Sequence, residues 1–289
     1  MRTFIILITF LAVMGMMQTS NGQAVFIWDD ISDKEFTLWA QNNLPCPVHL
    51  KAEPDSLDNK FERFVPKGAK EKLIQLPIDS LDSPTEFKGQ VRYHLTLGNP
   101  NAIHDTSYKY LLPYPRNKSH MLIQGNNSAF THNLPNSKYA FDFDMPENSL
   151  ISAARGGTVG FVSVNNKEGG DNEDYLQQAN KIMICHDDDT VGVYAHLQHK
   201  GALVNIGEKV YAGEIIGFSG NTGFSTTPHL HFVVLAGSKS VPLTFRELPD
   251  TLKSGLFYKQ KLDFNSVDTH LQRLFHFPEV RSTFLKKTY

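Results

Sequence analysis

His229 and His231 stand two residues apart at the head of an apolar run, Pro228-His229-Leu230-His231-Phe232-Val233-Val234-Leu235. Side chains two apart on a β-strand share a face. His229, His231, Val233 and Leu235 are therefore expected on one side, and Leu230, Phe232 and Val234 on the other, filling a core. Two neutral imidazoles aimed into one space suit metal ligation or proton transfer. An isolated His-x-His is more often a pair of surface residues, so the weight falls on its company. Upstream, Tyr139-Ala140-Phe141-Asp142-Phe143-Asp144 alternates sharply, with aromatics on one face and both carboxylates on the other. Carboxylates on so apolar a strand are costly unless their side meets water or a cation.

A catalytic zinc takes three protein nitrogen or oxygen ligands and leaves one position for water. His132, Asp142 and His231 supply two imidazoles and a carboxylate, enough to hold one Zn2+ per chain, with His196 and His229 beside the open position. Zinc brings the pKa of its water towards neutrality and polarises a carbonyl. One histidine then accepts the water's proton, and another donates to the oxyanion or the leaving amine. Those are the parts of metal-assisted amide hydrolysis. His120 competes with His132, and Asp144, on the same strand face, competes with Asp142.

The elements around these residues read as all-β. Residues 36–40, 48–52, 72–76 and 91–97 read as short strands separated by polar turns, so residues 23–98 are expected to form a small antiparallel β-sandwich-like accessory domain. His49 and His94 within it are read as surface or half-buried residues without a catalytic role. Pro100, Pro113 and Pro115 mark residues 99–123 as a linker. Residues 124–245 are expected to form a compact antiparallel sheet carrying the site. Within it, residues 181–186 and 191–197 are strands joined by a charged turn, Asp187-Asp188-Asp189-Thr190, which lacks the ligand spacing of a calcium loop. Parity sets Tyr194 and His196 opposite Val191, Val193 and Ala195. Polar residues 165–180 read as a solvated loop, with a substrate-groove wall as the functional alternative. Residues 246–289 are a C-terminal extension, in which His270 and His276 are taken as structural.

Residues 1–22 have the form of a signal peptide: Arg2, an apolar run over residues 4–17, then the small residues Ser20 and Gly22. The run falls short of the ~20 residues that a membrane helix needs, and no cysteine follows to take a lipid. A secreted or periplasmic protein without a membrane anchor is expected. The formal charge of −2 becomes −3 once Arg2 leaves, which gives no field favouring nucleic acid. Cys46 and Cys185, far apart in sequence, are read as small buried hydrophobes, with pairing open to them in an oxidising compartment.

Taken in order, the series His132 to Asp142, Tyr194-Ala195-His196-Leu197, Gly207-Glu208-Lys209-Val210, Gly213-Glu214-Ile215-Ile216-Gly217, Ser219-Gly220-Asn221-Thr222-Gly223 and Pro228-His229-Leu230-His231-Phe232 resembles the lysostaphin and LytM-type zinc endopeptidases, peptidase family M23. The resemblance covers residues 124–235. It implies a compact antiparallel β fold whose groove holds the metal, with His132, Asp142 and His231 as zinc ligands and His196 and His229 as catalytic histidines. The substrates it implies are peptide cross-bridges or stem peptides of bacterial peptidoglycan. Nine residues separate His132 from Asp142, more than is usual in that family, and Glu147-Asn148-Ser149 stands where a Gly-Thr-Pro turn is common. A non-catalytic cell-wall binding or hydrolase-activating module on the same fold is the alternative. A lipoyl or biotin carrier is disfavoured because no acceptor lysine sits at a hairpin tip.

Overall fold

The computed structural model describes residues 18–19, 22–128, 131–246, 248 and 251–261. Most of the expected signal peptide, and His270 and His276, lie outside them.

Alternating apolar residues build two three-stranded antiparallel sheets at the N-terminal side. Val25–Ile31, Glu35–Asn42 and Lys70–Pro77 form one, and Phe61–Val65, Val48–Pro54 and Val91–Leu97 the other. Ile27, Phe36, Leu38, Leu50, Ala52, Leu73 and Leu95 are buried in the core that the two sheets share. Phe61–Val65 escapes a sequence reading because Glu62 and Arg63 interrupt its apolar residues on an exposed edge.

The second body is a nine-stranded sheet whose central strands run Gly157–Ser163, Lys181–Cys185, Val191–Ala195, His229–Ala236, Phe141–Asp144 and Ser119–Gln124, all antiparallel. Leu150–Ser152, Ile215–Ser219 and Leu197–Ala202 form a smaller sheet. Leu230, Phe232, Val234, Tyr194, Ile182 and Ile184, all fully buried, share one core with Ile151, Leu197 and Ile216 of that smaller sheet. Each such side chain contributes roughly 1.5–3 kcal/mol by leaving water. The opposite face of the large sheet is apolar over part of its area. There Phe161, Cys185, Val193, Ala195 and Val233 join the sandwich core.

Two expectations need correction here. The linker reading of residues 99–123 fails at its end, because Ser119–Gln124 is a strand paired with Phe141–Asp144 on one side and with Phe257–Lys259 of the C-terminal extension on the other. Prolines discourage a strand only up to Pro115, and the short run Met121-Leu122-Ile123 after it does not alternate, so no strand pattern marks it. Cys46 and Cys185, read as separate buried hydrophobes, form a disulfide across 139 residues of chain. Packing of the sandwich on the sheet brings their Cα atoms to 6.1 Å, within bridging range. Gly160 makes room for it: a Cβ there would lie 2.6 Å from Cys46 Sγ.

The aspartate turn is charged and structural, as its composition suggests. Asp187 and Asp188 pair with the guanidinium of Arg155, which is only 5% exposed and lies over the Tyr108 ring.

Candidate metal centre

The strands deliver the site residues by register. His231 stands opposite Asp142, and His229 opposite Asp144, so the His229–Ala236 and Phe141–Asp144 strands set two imidazoles and a carboxylate on one face. Asp142 Oδ1 lies 2.8 Å from His231 Nδ1, and Oδ2 lies 3.1 Å from His132 Nε2. One ligand atom from each of the three residues falls within 4.8 Å of the others. The nine residues between His132 and Asp142 form a loop that folds back, so the long spacing does not carry His132 away. Neither competing candidate joins this group. Asp144 is exposed, and His120 donates from Nδ1 to the Asp144 carbonyl with its ring 4.7 Å from Tyr114.

Backbone carbonyls settle which nitrogens carry protons, because a carbonyl can only accept. His132 Nδ1 donates to Gly125 O at 2.9 Å, His196 Nδ1 to Thr222 O at 2.7 Å, and His229 Nδ1 to Thr227 O at 2.8 Å. In each ring, when neutral, Nε2 therefore keeps its lone pair, and a hydrogen bond of this kind is also what orients a metal-ligating histidine.

His196 reaches the site by leaving its strand. It sits at φ +63°, between Val191–Ala195 and Leu197–Ala202. Continued parity would have put its ring with Tyr194 inside the apolar core. The left-handed turn, which histidine adopts more readily than bulky residues, instead places it 4.5 Å from the His229 ring and 5.9 Å from the His231 ring. The supports around it were missed by sequence reasoning. Thr222 donates from Oγ1 to Leu197 O while accepting from Asn180 N, and Ser225 Oγ contacts His229 Nδ1 at 3.1 Å. Their only signal was the dense Ser-Gly-Asn-Thr-Gly run. Gly223, at φ +81°, lets that turn lie against Ala179, where a Cβ would come within 2.5 Å of the backbone. Gly169–Gly170 pairs with Gly223–Phe224, so the polar segment 165–180 is tied beside the histidines instead of standing free in solvent.

Electrostatics divides the five residues. Burial alone would push the Asp142 carboxyl up, but the facing His231 and His132 prevail and hold it well below the usual carboxylate range. Burial works against a charge on His132 too, and Asp142 outweighs it, raising that imidazole above its ordinary value. His196 goes the other way, pushed down to about 3 by burial and then by His229 and His231. His229 is also lowered, first by burial, against the pull of Asp142. The pair beside the cluster is thus neutral at pH 7.

A metal is a sound explanation of the His132, Asp142 and His231 set. His132 is fully buried, and its Nε2 has the Asp142 carboxylate 3.1 Å away but no well-aligned hydrogen bond among the described residues, a position that a cation would satisfy. Two nitrogens and an oxygen suit a divalent transition ion with an open position. The His231 side chain is 19% exposed against none for His132, so the cluster opens to solvent on the His231 side.

Comparison with known proteins agrees with this chemistry. Residues 136–242 match the family model for peptidase family M23, a span that includes Asp142, His196, His229 and His231 but not His132. The chain is 36% identical over 106 residues to glycyl-glycine endopeptidase ALE-1 of Staphylococcus capitis, covering 35% of this chain and 25% of that protein. It is 32% identical over 128 residues to DD-carboxypeptidase/endopeptidase Mpg of Neisseria meningitidis serogroup B, covering 42% and 27%. Among solved structures, the catalytic domain of the antimicrobial peptidase lysostaphin from Staphylococcus simulans aligns at 26% identity and a TM-score of 0.31, over 43% of this chain and 86% of that one. The chain spans about a quarter of the length of the first curated relatives it matches.

Proposed function

We propose, from the match of residues 136–242 to peptidase family M23 and the similarity to lysostaphin-type enzymes, that the chain is a zinc metalloendopeptidase acting on peptide bonds of bacterial peptidoglycan. One observation carries the reading. Three ligand-type side chains converge, with one ligand atom of each within 4.8 Å of the others, beside two neutral histidines whose Nδ1 atoms donate to backbone carbonyls.

His132, Asp142 and His231 would hold the ion. When bound, zinc supplies a water ionising near neutral pH and a Lewis acid for the scissile carbonyl. The chain's own groups handle the protons. His229 Nε2, 4.0 Å from Asp142 Oδ1, is the nearer acceptor for the proton of the attacking water. The imidazolium so formed returns that proton to the leaving amine nitrogen. His196 Nε2 offers a second lone pair, which can hold the water's other hydrogen and aim its oxygen. The sequence reading gave one histidine a donor role from the start. The carbonyl contacts support a different division, in which both rings start as acceptors and donation follows acceptance.

The disulfide supports an oxidising destination, in line with the expected signal peptide and with secretion or export to the periplasm. No described helix is long and apolar enough to cross a membrane.

The test is metal content first. The purified mature chain, offered stoichiometric zinc and desalted, is expected to retain about one ion, and His231→Ala to retain none while staying folded. Wild type should then release new amino groups from peptidoglycan in a chelator-sensitive way. A folded wild type without zinc, or a His231→Ala chain equally active, would overturn the reading in favour of a cell-wall binding module.

A further inference from the structure

Register lines up a row of side chains across the large sheet. Ser163 stands opposite Lys181, Lys181 opposite Ala195, Ala195 opposite His231, and His231 opposite Asp142. Directly opposed residues share a face, and the neighbours confirm which: Ile182 and Ile184 lie in the core beneath, Cys185 and Ala195 on the other side. Lys181 is therefore on the face of the metal centre, two strands from His231. At the usual spacing of strands that is roughly 10 Å. Only the methyl group of Ala195 stands between them in the row.

Lys181 is 5% exposed, and among the described residues it has no ion pair or hydrogen bond. The other buried cation, Arg155, contrasts with it: two aspartates and a tyrosine hydroxyl surround that guanidinium. Burial without an anion pushes the Lys181 ammonium down to about 8, still largely charged at pH 7. A buried, unpaired cation is costly, and proteins keep such groups paired. On this face, two strands from His231, the missing anion is one that the substrate brings.

We propose that Lys181 is a carboxylate-binding residue of this site, so that the chain prefers a stem-type peptide carrying a free carboxylate near the cleaved bond over an uncharged glycine bridge. The inference rests on the peptidase reading above. The carboxylate has two sources in such a peptide, an acidic side chain or the chain terminus.

The experiment uses four zinc-enzyme substrates: a cross-linked stem-peptide dimer with all carboxylates free, the same dimer amidated only on its side chains, the same dimer amidated only at its C-termini, and a pentaglycine-linked dimer. Wild type is expected to show about a tenfold or larger rise in KM for whichever amidation removes the bound group, with little change in kcat. Lys181→Met, which fills the same space without charge, should raise KM for the free acid to that of the amide, with zinc content and thermal midpoint preserved. Lys181→Arg should recover part of the difference. Calorimetric titration of the free acid and its amides onto His196→Ala, which turns them over far more slowly, gives the same comparison largely free of turnover. Equal KM for acid and both amides, unmoved by Lys181→Met, overturns the carboxylate site and leaves the peptidase reading intact. Cleavage of none of the four by wild type counts against these substrates for the peptidase, and calorimetry then decides Lys181 by itself.

Discussion

The strand His229–Ala236 presents one face with two different fates. Val233 is 3% exposed and Leu235 packs on the sandwich core, whereas His229 and His231, on the same face, meet Asp142 and a side open to solvent. The backbone is continuous and the side-chain parity identical across both halves. What differs is the cover: Val233 and Leu235 are taken into the sandwich core, and the two histidines are not. A strand pattern thus fixes which side a residue takes, and the neighbouring body decides whether that side becomes core or site.

The comparison implies that the two halves can be damaged separately. His196→Ala acts on the open half and should lower kcat about 10²–10⁴-fold, the range for losing one proton-transfer group, while zinc content and urea midpoint hold. Steady-state kinetics with metal analysis on the same preparation checks this. Loss of zinc in that variant would mean that His196 belongs with the ligands.

Phe161→Ala acts on the covered half. Phe161 is 4% exposed in the core shared by sheet and sandwich, and its truncation should cost about 3–5 kcal/mol in urea denaturation while the remaining folded fraction keeps its zinc. If the folded fraction loses zinc as well, the sandwich shapes the site instead of merely bordering it. The double change Cys46→Ala and Cys185→Ala removes the covalent tie between the same two bodies. A loss of about 2–5 kcal/mol is expected, with kcat preserved. Unchanged stability would show that the shared apolar core alone sets their docking.

How much of this could be read beforehand follows the same division. Strict alternation over 139–144 and 229–235 foretold both the core residues and the facing of Asp142 and His231, because strand parity is a local property. His196 defeated parity: one residue at φ +63° turned its ring from the core to the site, and no composition signal announces such a turn. The Cys46–Cys185 pairing depends on how two bodies dock, which local patterns do not encode. Lys181 looked like the polar first residue of an apolar strand. Its place in the row with His231 emerges only when three strands are in register.

The smallest expected effect concerns a histidine that lies away from the site and reports on the covered region. His186 is 5% exposed. Its Nδ1 donates to Gly156 O at 2.9 Å, its Nε2 has no hydrogen-bond partner among the described residues, and its ring packs near Tyr110 and against Gly192, where a Cβ would stand 3.0 Å from Nε2. Burial, aided by Arg155 and opposed by the Gly156 carbonyl and by Asp188 and Asp187, holds it down to about 4. The unfolded chain takes up its proton near pH 6.5, before the native one does. Its contribution to stability is therefore complete above about pH 6.5 and is lost as pH falls towards 4, at no more than about 1.4 kcal/mol per pH unit. His196 contributes in the same direction over a similar window. Substituting His186→Gln, which keeps a donor for Gly156 O, should flatten the decline in urea midpoint between pH 7 and 4.5 by one group's share without abolishing it. An unchanged slope in that variant would mean that His186 titrates alike in both states, and that the acid sensitivity of this protein resides in the open half of the sheet.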